Sequence, residues 1–144
     1  MTRHRWVLTG FAVAALALGA CNSGSGTSEP KVEAITIVED DATGLATLTL
    51  SDKAAQRLGV ETVAVAGSGT QLMIPYAAIV YDAQGKTWTY VNESALTYKR
   101  AEITVAEIDG QTVRITAGPP SGALVVTTGA AELYGAEIGV GGGH

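Results

Sequence analysis

Turn-forming residues divide the chain after Lys31 into short segments rich in β-branched residues. Leu45 to Leu50 alternates apolar residues with threonine, and Thr87 to Val91 places Trp88 and Tyr90 on one side of a strand. Short strands with turn signals about 8–12 residues apart are typical of small antiparallel barrels and rolls. The sequence therefore predicts an all-β fold, a small antiparallel β-roll or barrel.

One segment has the pattern of a short helix instead of a strand. Ser51 is a suitable N-cap, Asp52 stands in the first turn, Arg57 stands in the last turn and Gly59 follows as a stop. We therefore expect one short helix between the second and third strands.

Three loop predictions complete the outline of the fold. Asp82 to Gly85 is expected to form a hairpin loop, and Asp109-Gly110 is a two-residue type I′ turn signal. Ala66 to Gly69 reads as a flexible joint, and Tyr98 to Ile108 reads as one long strand that could contain a bulge.

The first twenty residues have the composition of an export signal. A basic cluster, Arg3 to Arg5, precedes an apolar run from Trp6 to Leu18, and small residues follow before Cys21. The apolar run, about 15 residues when Gly19 and Ala20 are included, is too short for a membrane span, which needs roughly 20 residues. A cleaved signal is therefore favoured over a transmembrane anchor.

Leu18-Gly19-Ala20-Cys21 resembles the lipobox of bacterial lipoproteins. The resemblance implies that Leu18, Gly19 and Ala20 are recognised by the signal peptidase and that the Cys21 thiol receives the lipid. The expected location is the extracytoplasmic face of the cell membrane, held by the lipid anchor. A soluble secreted protein in which Cys21 has no role is the alternative.

These motifs predict four parts along the chain. Residues 1–20 are the signal peptide and residues 21–31 are a lipidated flexible tether rich in Gly and Ser. Residues 32–140 are the β domain, and residues 141–144 are a flexible tail. Ten residues of such a tether reach roughly 16–19 Å, which keeps the domain close to the membrane.

Charge and composition argue against several classes of function. A chain that begins at Cys21 loses Arg3 and Arg5 from the 9 basic residues and keeps 7 against 14 acidic ones, a net charge of −7. Such a surface repels nucleic acid. The histidines are His4 and His144, so the predicted domain has neither imidazole nor thiol. We expect no enzymatic activity, no cofactor and no metal site.

Five segments between residues 50 and 129 carry motifs of a known protein family. The segments are Leu50–Thr62, Ile74–Ile79, Gly85–Val91, Tyr98–Val105 and Gly118–Gly129. Together they resemble the membrane-proximal domain of the periplasmic adaptor family of efflux pumps, also called membrane fusion proteins. Two residues depart from the family pattern at one turn: Pro119 replaces a leucine and Ala123 replaces an aspartate.

The resemblance implies an accessory subunit of an efflux transporter in the cytoplasmic membrane, of the resistance-nodulation-division type or the ABC type. The family's β-barrel, lipoyl and α-hairpin domains have no counterpart here, and Ala66 to Gly69 stands where they would be inserted. The chain would then act by protein–protein contact at the membrane, with no nucleic-acid partner.

A free-standing lipoprotein that binds a small ligand or ion is the alternative function. A ligand-sized pocket with convergent polar groups would favour it, whereas a filled core with one exposed apolar patch would favour the adaptor. Trp88 and Tyr90 are expected in the core, with a ligand-stacking face as the alternative. Lys99-Arg100 is expected to be a solvated charge pair, with a dock for a partner carboxylate as the alternative.

Overall fold

The computed structural model describes residues 34–139. Most of this range is made of β-strands joined by short turns, with two α-helices. The helices are α1 (Asp52–Leu58) and α2 (Ala130–Glu137). The strands are β1 (Ile35–Asp40), β2 (Leu45–Leu50), β3 (Glu61–Ala64), β4 (Ala66–Ser68), β5 (Gln71–Pro75), β6 (Val80–Tyr81), β7 (Thr87–Ser94), β8 (Thr97–Glu102), β9 (Thr104–Asp109), β10 (Thr112–Ala117) and β11 (Leu124–Thr128).

The strands form two antiparallel sheets. The larger has the order β1-β2-β8-β7-β11-β3, with β6 also paired to β7, and the smaller has the order β4-β5-β10-β9. The predicted all-β fold is confirmed, and the short helix α1 lies where the sequence places it. The second helix, α2, was not predicted.

The larger sheet is covered on both faces. Two neighbouring residues of β11 point to opposite faces, and both are packed against other parts of the domain. Val126 packs with α1 and α2 on one face, and Val125 packs with the smaller sheet on the other. Both side chains are fully buried. The helix-side core is built from Ala46, Leu48, Leu50, Ala54, Val80, Trp88, Tyr90, Tyr98, Val126, Ala130 and Leu133. The core between the sheets is built from Val65, Leu72, Ile74, Ala78, Ile103, Val113, Ile115 and Val125.

At two points the chain passes between the sheets through a single buried residue. Val65 lies between β3 and β4, and Ile103 lies between β8 and β9. The predicted long strand from Tyr98 to Ile108 is therefore wrong as one element, because it is interrupted at Ile103. Burying that residue between the sheets turns the strand direction and starts the second sheet.

The caps of α1 are those the sequence predicts. The Ser51 hydroxyl accepts a hydrogen bond from the backbone N–H of Ala54, at 3.2 Å, and Gly59 adopts the left-handed conformation with φ 59°. The Ser51 backbone N–H also donates to the Ala34 carbonyl, at 3.0 Å, so the start of α1 lies beside the start of β1.

The segment Ala66 to Gly69 is not a flexible joint. Ala66 to Ser68 forms β4 and pairs with β5, and the turn follows at Gly69. At Gly67, where φ is +87°, a Cβ atom would come within 2.0 Å of the Gln71 carbonyl oxygen. A glycine is therefore required inside this strand by the close approach of its partner.

The hairpin between β9 and β10 is shifted by one residue from its prediction. Asp109 pairs with Thr112, so the two turn residues are Gly110 and Gln111. Gly110 has φ +57° and Gln111 does not have a positive φ. Positive φ at the first position alone belongs to a type II′ turn, so the predicted type I′ turn at Asp109-Gly110 is wrong in type and register.

Helix α2 follows Gly129, which offers no side-chain cap, and buries Ala130 and Leu133 against the larger sheet. Its last turn places Glu137 over the strands β7 and β8, where Tyr90 and Arg100 lie. The candidate site described below is formed where these three side chains meet.

Candidate functional site

The predicted lipidation site lies outside the described residues. Cys21 and the recognition residues Leu18, Gly19 and Ala20 precede residue 34, and the tail 141–144 follows residue 139. Within residues 34–139, no helix is long and apolar enough to cross a membrane. The same range contains no group of three or more His, Cys, Asp or Glu residues placed to hold a metal ion.

A polar groove, here called the Arg100 groove, lies between the β6–β7–β8 strands and the end of α2. It has a volume of about 460 Å³ and is open to solvent. Its lining residues are Asp82, Ala83, Gln84, Lys86, Trp88, Arg100, Tyr134 and Ile138.

Strand register explains why the central side chains meet there. Tyr90 pairs with Arg100 and Trp88 pairs with Glu102 across β7 and β8. Since residues two apart on a strand share a face, Trp88, Tyr90 and Arg100 all point to the side that α2 covers. Tyr134 lies one helical turn before Glu137 on α2 and reaches the same place.

Arg100 is held by contacts from three directions. Its Nε lies 2.8 Å from Oε1 of Glu137, at an angle unsuited to an N–H hydrogen bond, and the two side chains are 17% and 5% exposed. Its Cζ lies 4.5 Å from the ring centroid of Trp88 and 6.0 Å from that of Tyr134. The expectation of a solvated pair is therefore wrong for Arg100, because a buried carboxylate and two rings surround it.

Lys99 points to the other face and behaves differently from its neighbour. Its Nζ lies 3.5 Å from Oδ2 of Asp40, in an ion pair that is partly exposed to solvent. Adjacent positions on a strand face opposite sides, so the Lys99-Arg100 pair is divided between two environments.

Glu137 joins α2 to the core as well as to Arg100. Its second carboxylate oxygen accepts a short hydrogen bond from the Tyr90 hydroxyl. Burial first, and then this hydrogen bond, raise the pKa of Tyr90 well above its ordinary value of 10.0. The tyrosine is therefore a neutral donor at all physiological pH values.

The hairpin loop before β7 fixes Trp88. The indole Nε1–H donates to Oδ2 of Asp82 at 2.9 Å, while Oδ1 of Asp82 accepts from the backbone N–H groups of Gln84 and Lys86. The indole hydrogen bond is the chief reason that the pKa of Asp82 lies below its usual value. The predicted hairpin loop is confirmed, and both oxygens of its aspartate are occupied.

Trp88 and Tyr90 lie in the helix-side core, as predicted. Tyr90 is fully buried, whereas one side of Trp88 lines the groove. Sequence reasoning did not single out Asp82, Tyr134 or Glu137. The Ala, Glu and Leu content of Ala130–Glu137 favours a helix and is the signal that could have located two of them.

Two further concave surfaces are less polar. A groove of about 560 Å³ runs between Ile79, Tyr81 and the start of α2. A smaller one of about 330 Å³, here called the Val63 depression, has no charged residue in its lining. The Val63 depression is lined by Val63, Ala64, Ala66, Met73, Ile74, Pro75, Gln111 and Thr112.

Comparison with known proteins found no match among family models, curated proteins or solved structures.

Proposed function

We propose that the chain is a lipid-anchored accessory subunit of an efflux transporter in the cytoplasmic membrane, acting by protein–protein contact on the extracytoplasmic side. The proposal of a lipid anchor rests on the lipobox-like sequence Leu18-Gly19-Ala20-Cys21. A diacylglyceryl group with an amide-linked acyl chain anchors stably, since one acyl chain alone binds membranes only weakly. A short tether then raises the concentration of the domain near a membrane partner.

The Val63 depression supports the contact part of the proposal. Val63 and Met73 are large apolar side chains that are 43% and 42% exposed, and the lining of the depression carries no charge. The nearest charges beside Met73 belong to Arg114 on the neighbouring strand and its ion-pair partner Glu107. The depression adjoins β3, which forms one edge of the larger sheet. An edge strand beside an uncharged concave surface can receive both the backbone and an apolar side chain of a partner.

The packing of the domain also favours a contact role. Both core clusters contain many side chains with almost no exposure, and the grooves described above are open surfaces. A filled core with an exposed apolar surface is the combination expected of the adaptor.

A second candidate function is a lipoprotein that binds a small ligand. The Arg100 groove favours it, because two cations and an aromatic ring converge on one concave surface. In this candidate the lipid anchor would only retain the domain at the membrane.

A complementation assay in the native host tests the contact role. The gene is deleted and replaced by wild type, Cys21→Ser, Met73→Asp or a chain without residues 141–144, and export of a panel of toxic compounds is measured. Wild type and the tail deletion should restore export, and the other two should not. Thr116→Asp, an exposed position on the smaller sheet outside the depression, is the control for Met73→Asp.

Two results of this assay would refute the adaptor function. One is unchanged export in the gene deletion. The other is loss of export on removal of the tail with no effect of Cys21→Ser, which would indicate a ligand or metal role for His144. Metabolic labelling with a fatty-acid analogue tests the anchor separately, and equal labelling of wild type and Cys21→Ser would exclude lipidation at Cys21.

A further inference from the structure

We propose that the Arg100 groove is a binding site for a carboxylate, with Arg100 as the principal recognition residue and Lys86 as its assistant. The inference rests on the geometry of the groove alone and holds whether or not the chain serves a transporter. The carboxylate could belong to an acidic side chain of a partner protein or to a small free acid, and the experiment below distinguishes the two.

The guanidinium of Arg100 is oriented before any ligand arrives. Glu137 lies 2.8 Å from its Nε, and its Cζ lies 4.5 Å from the ring centroid of Trp88. Within residues 34–139, the terminal nitrogens Nη1 and Nη2 make no hydrogen bond, and neither is a buried atom without a partner. These two terminal nitrogens form the planar fork that can donate two parallel hydrogen bonds to a carboxylate. The fork is therefore fixed in position and accessible from the groove.

Lys86 is a second cation in the lining of the groove, near the same indole ring system. Its Nζ lies 5.9 Å from the Trp88 ring centroid and 3.5 Å from Oε1 of Glu102. Both side chains of that ion pair are more than half exposed, so the contact is weak and easily exchanged for a ligand.

The one carboxylate that lines the groove is already engaged. Asp82 accepts hydrogen bonds on both of its oxygens, from the Trp88 indole and from two backbone N–H groups. Arg100 therefore does not turn toward Asp82, and its terminal nitrogens stay free for an incoming group.

Charge selects a carboxylate over a phosphate. The lining carries Lys86 and Arg100 against Asp82, and Glu137 and Glu102 each form an ion pair with one of the two cations. With three carboxylates nearby, a monoanion is repelled less than a dianion. A volume of about 460 Å³ leaves room for a short carbon chain beside Trp88 and Ile138.

Trp88 supplies a direct reporter of binding. The chain has two tryptophans, Trp6 and Trp88, so the full chain with Trp6→Phe fluoresces from the groove alone. Butyrate and the peptide acetyl-Gly-Glu-Gly-amide, each a monoanion, are the carboxylate probes. Butyramide, the corresponding Gln peptide and inorganic phosphate are the controls.

We expect a saturable change in Trp88 fluorescence with at least one carboxylate probe and none with the amides. Tighter binding of the peptide would assign the site to a polypeptide partner, and tighter binding of butyrate to a small acid. Arg100→Lys, which keeps the charge and loses the fork, should weaken binding by about tenfold. Lys86→Gln should weaken it by about threefold, and Arg114→Gln on the smaller sheet should have no effect.

Several results would overturn the proposal. The first two are equal responses to acid and amide probes, and tighter binding of phosphate than of either carboxylate. The other two are no saturable response up to about 50 mM probe, and an affinity of Arg100→Lys for the carboxylate probes equal to that of wild type. If circular dichroism shows that Arg100→Lys is unfolded, the Lys86→Gln result decides, because Lys86 is exposed and outside the core. Carboxylate binding with no export defect in the gene deletion would refute the adaptor function and leave this site standing.

Discussion

Oε1 of Glu137 in the last turn of α2 lies 2.8 Å from Nε of Arg100 on β8, and both side chains are largely removed from solvent. The same carboxylate accepts a hydrogen bond from the hydroxyl of Tyr90 on β7. One acidic residue therefore connects the final helix to two central strands of the larger sheet. Glu137 stabilises the fold only while Arg100 is present as its partner, because the attraction between the two charges is what offsets the cost of removing each from water.

Removal of Glu137 should destabilise the domain strongly. Glu137→Leu leaves Arg100 without a counterion in a buried position, and we expect the free energy of unfolding to fall by about 3 kcal/mol in urea denaturation. Glu107→Leu, which breaks the exposed pair with Arg114, should cost at most about 1 kcal/mol. The double variant Arg100→Met/Glu137→Leu should recover at least half of the loss. Equal effects of the two single variants would contradict a structural role of the buried pair.

Tyr90 should make the fold sensitive to alkali. Burial and the hydrogen bond to Glu137 raise its pKa in the folded state above the ordinary value of 10.0. Its contribution to stability is therefore fully present below pH 10 and is lost as the pH rises above 10, by up to about 1.4 kcal/mol per pH unit. Urea midpoints measured between pH 9 and pH 11.5 should show this fall.

Tyr90→Phe should reduce the alkaline fall, whereas Tyr76→Phe, which removes an exposed hydroxyl next to Tyr81, should change it far less. A smaller fall should persist in Tyr90→Phe, since burial also raises the pKa of Tyr98. The same pH dependence in wild type and Tyr90→Phe would show that Tyr90 is not the group responsible.

The sequence was sufficient for features that depend on neighbouring residues. The caps of α1 follow from Ser51 and Gly59, and the alternation in β2 follows from Leu48 and its neighbours, because each signal lies within a few residues of the element it defines. Helix α2 was missed because Gly129 offers no side-chain cap and Gly135 interrupts its apolar pattern.

Features that depend on distant pairing were beyond the sequence. Arg100 looks solvated beside Lys99 until the register of β7 and β8 and the position of Glu137 are known. The break at Ile103 likewise depends on the second sheet, since an isolated strand would continue through an apolar residue. The Arg100 groove could therefore not be predicted as a site, although Trp88 and Arg100 were both singled out.

Thr89 offers a test of an unsatisfied buried polar group. Its side chain is fully buried, and within residues 34–139 its hydroxyl has no hydrogen-bond partner. Thr89→Val keeps the shape and removes the desolvated hydroxyl, so we expect the free energy of unfolding to rise by about 1 kcal/mol. Thr87→Val on the same strand is the matched control. It removes a 2.7 Å hydrogen bond to the Ile103 carbonyl and should lower stability by about 1 kcal/mol. Destabilisation of similar size in both variants would show that the Thr89 hydroxyl is hydrogen-bonded in the folded protein, as the Thr87 hydroxyl is.

The N-terminal strands and the C-terminal helix should unfold together. Leu48 in β2 and Leu133 in α2 are fully buried in the same helix-side core, so neither segment can bury its apolar face alone. Leu48→Ala and Leu133→Ala should each lower the free energy of unfolding by about 2–5 kcal/mol, and Ile37→Ala, at an exposed position of β1, by less than about 1 kcal/mol. In the Trp6→Phe chain, Trp88 fluorescence and far-UV circular dichroism should report a single, coincident transition for all three variants. Separate transitions, or loss of the helical signal without a change at Trp88, would show that α2 is an independent element attached to the sheet.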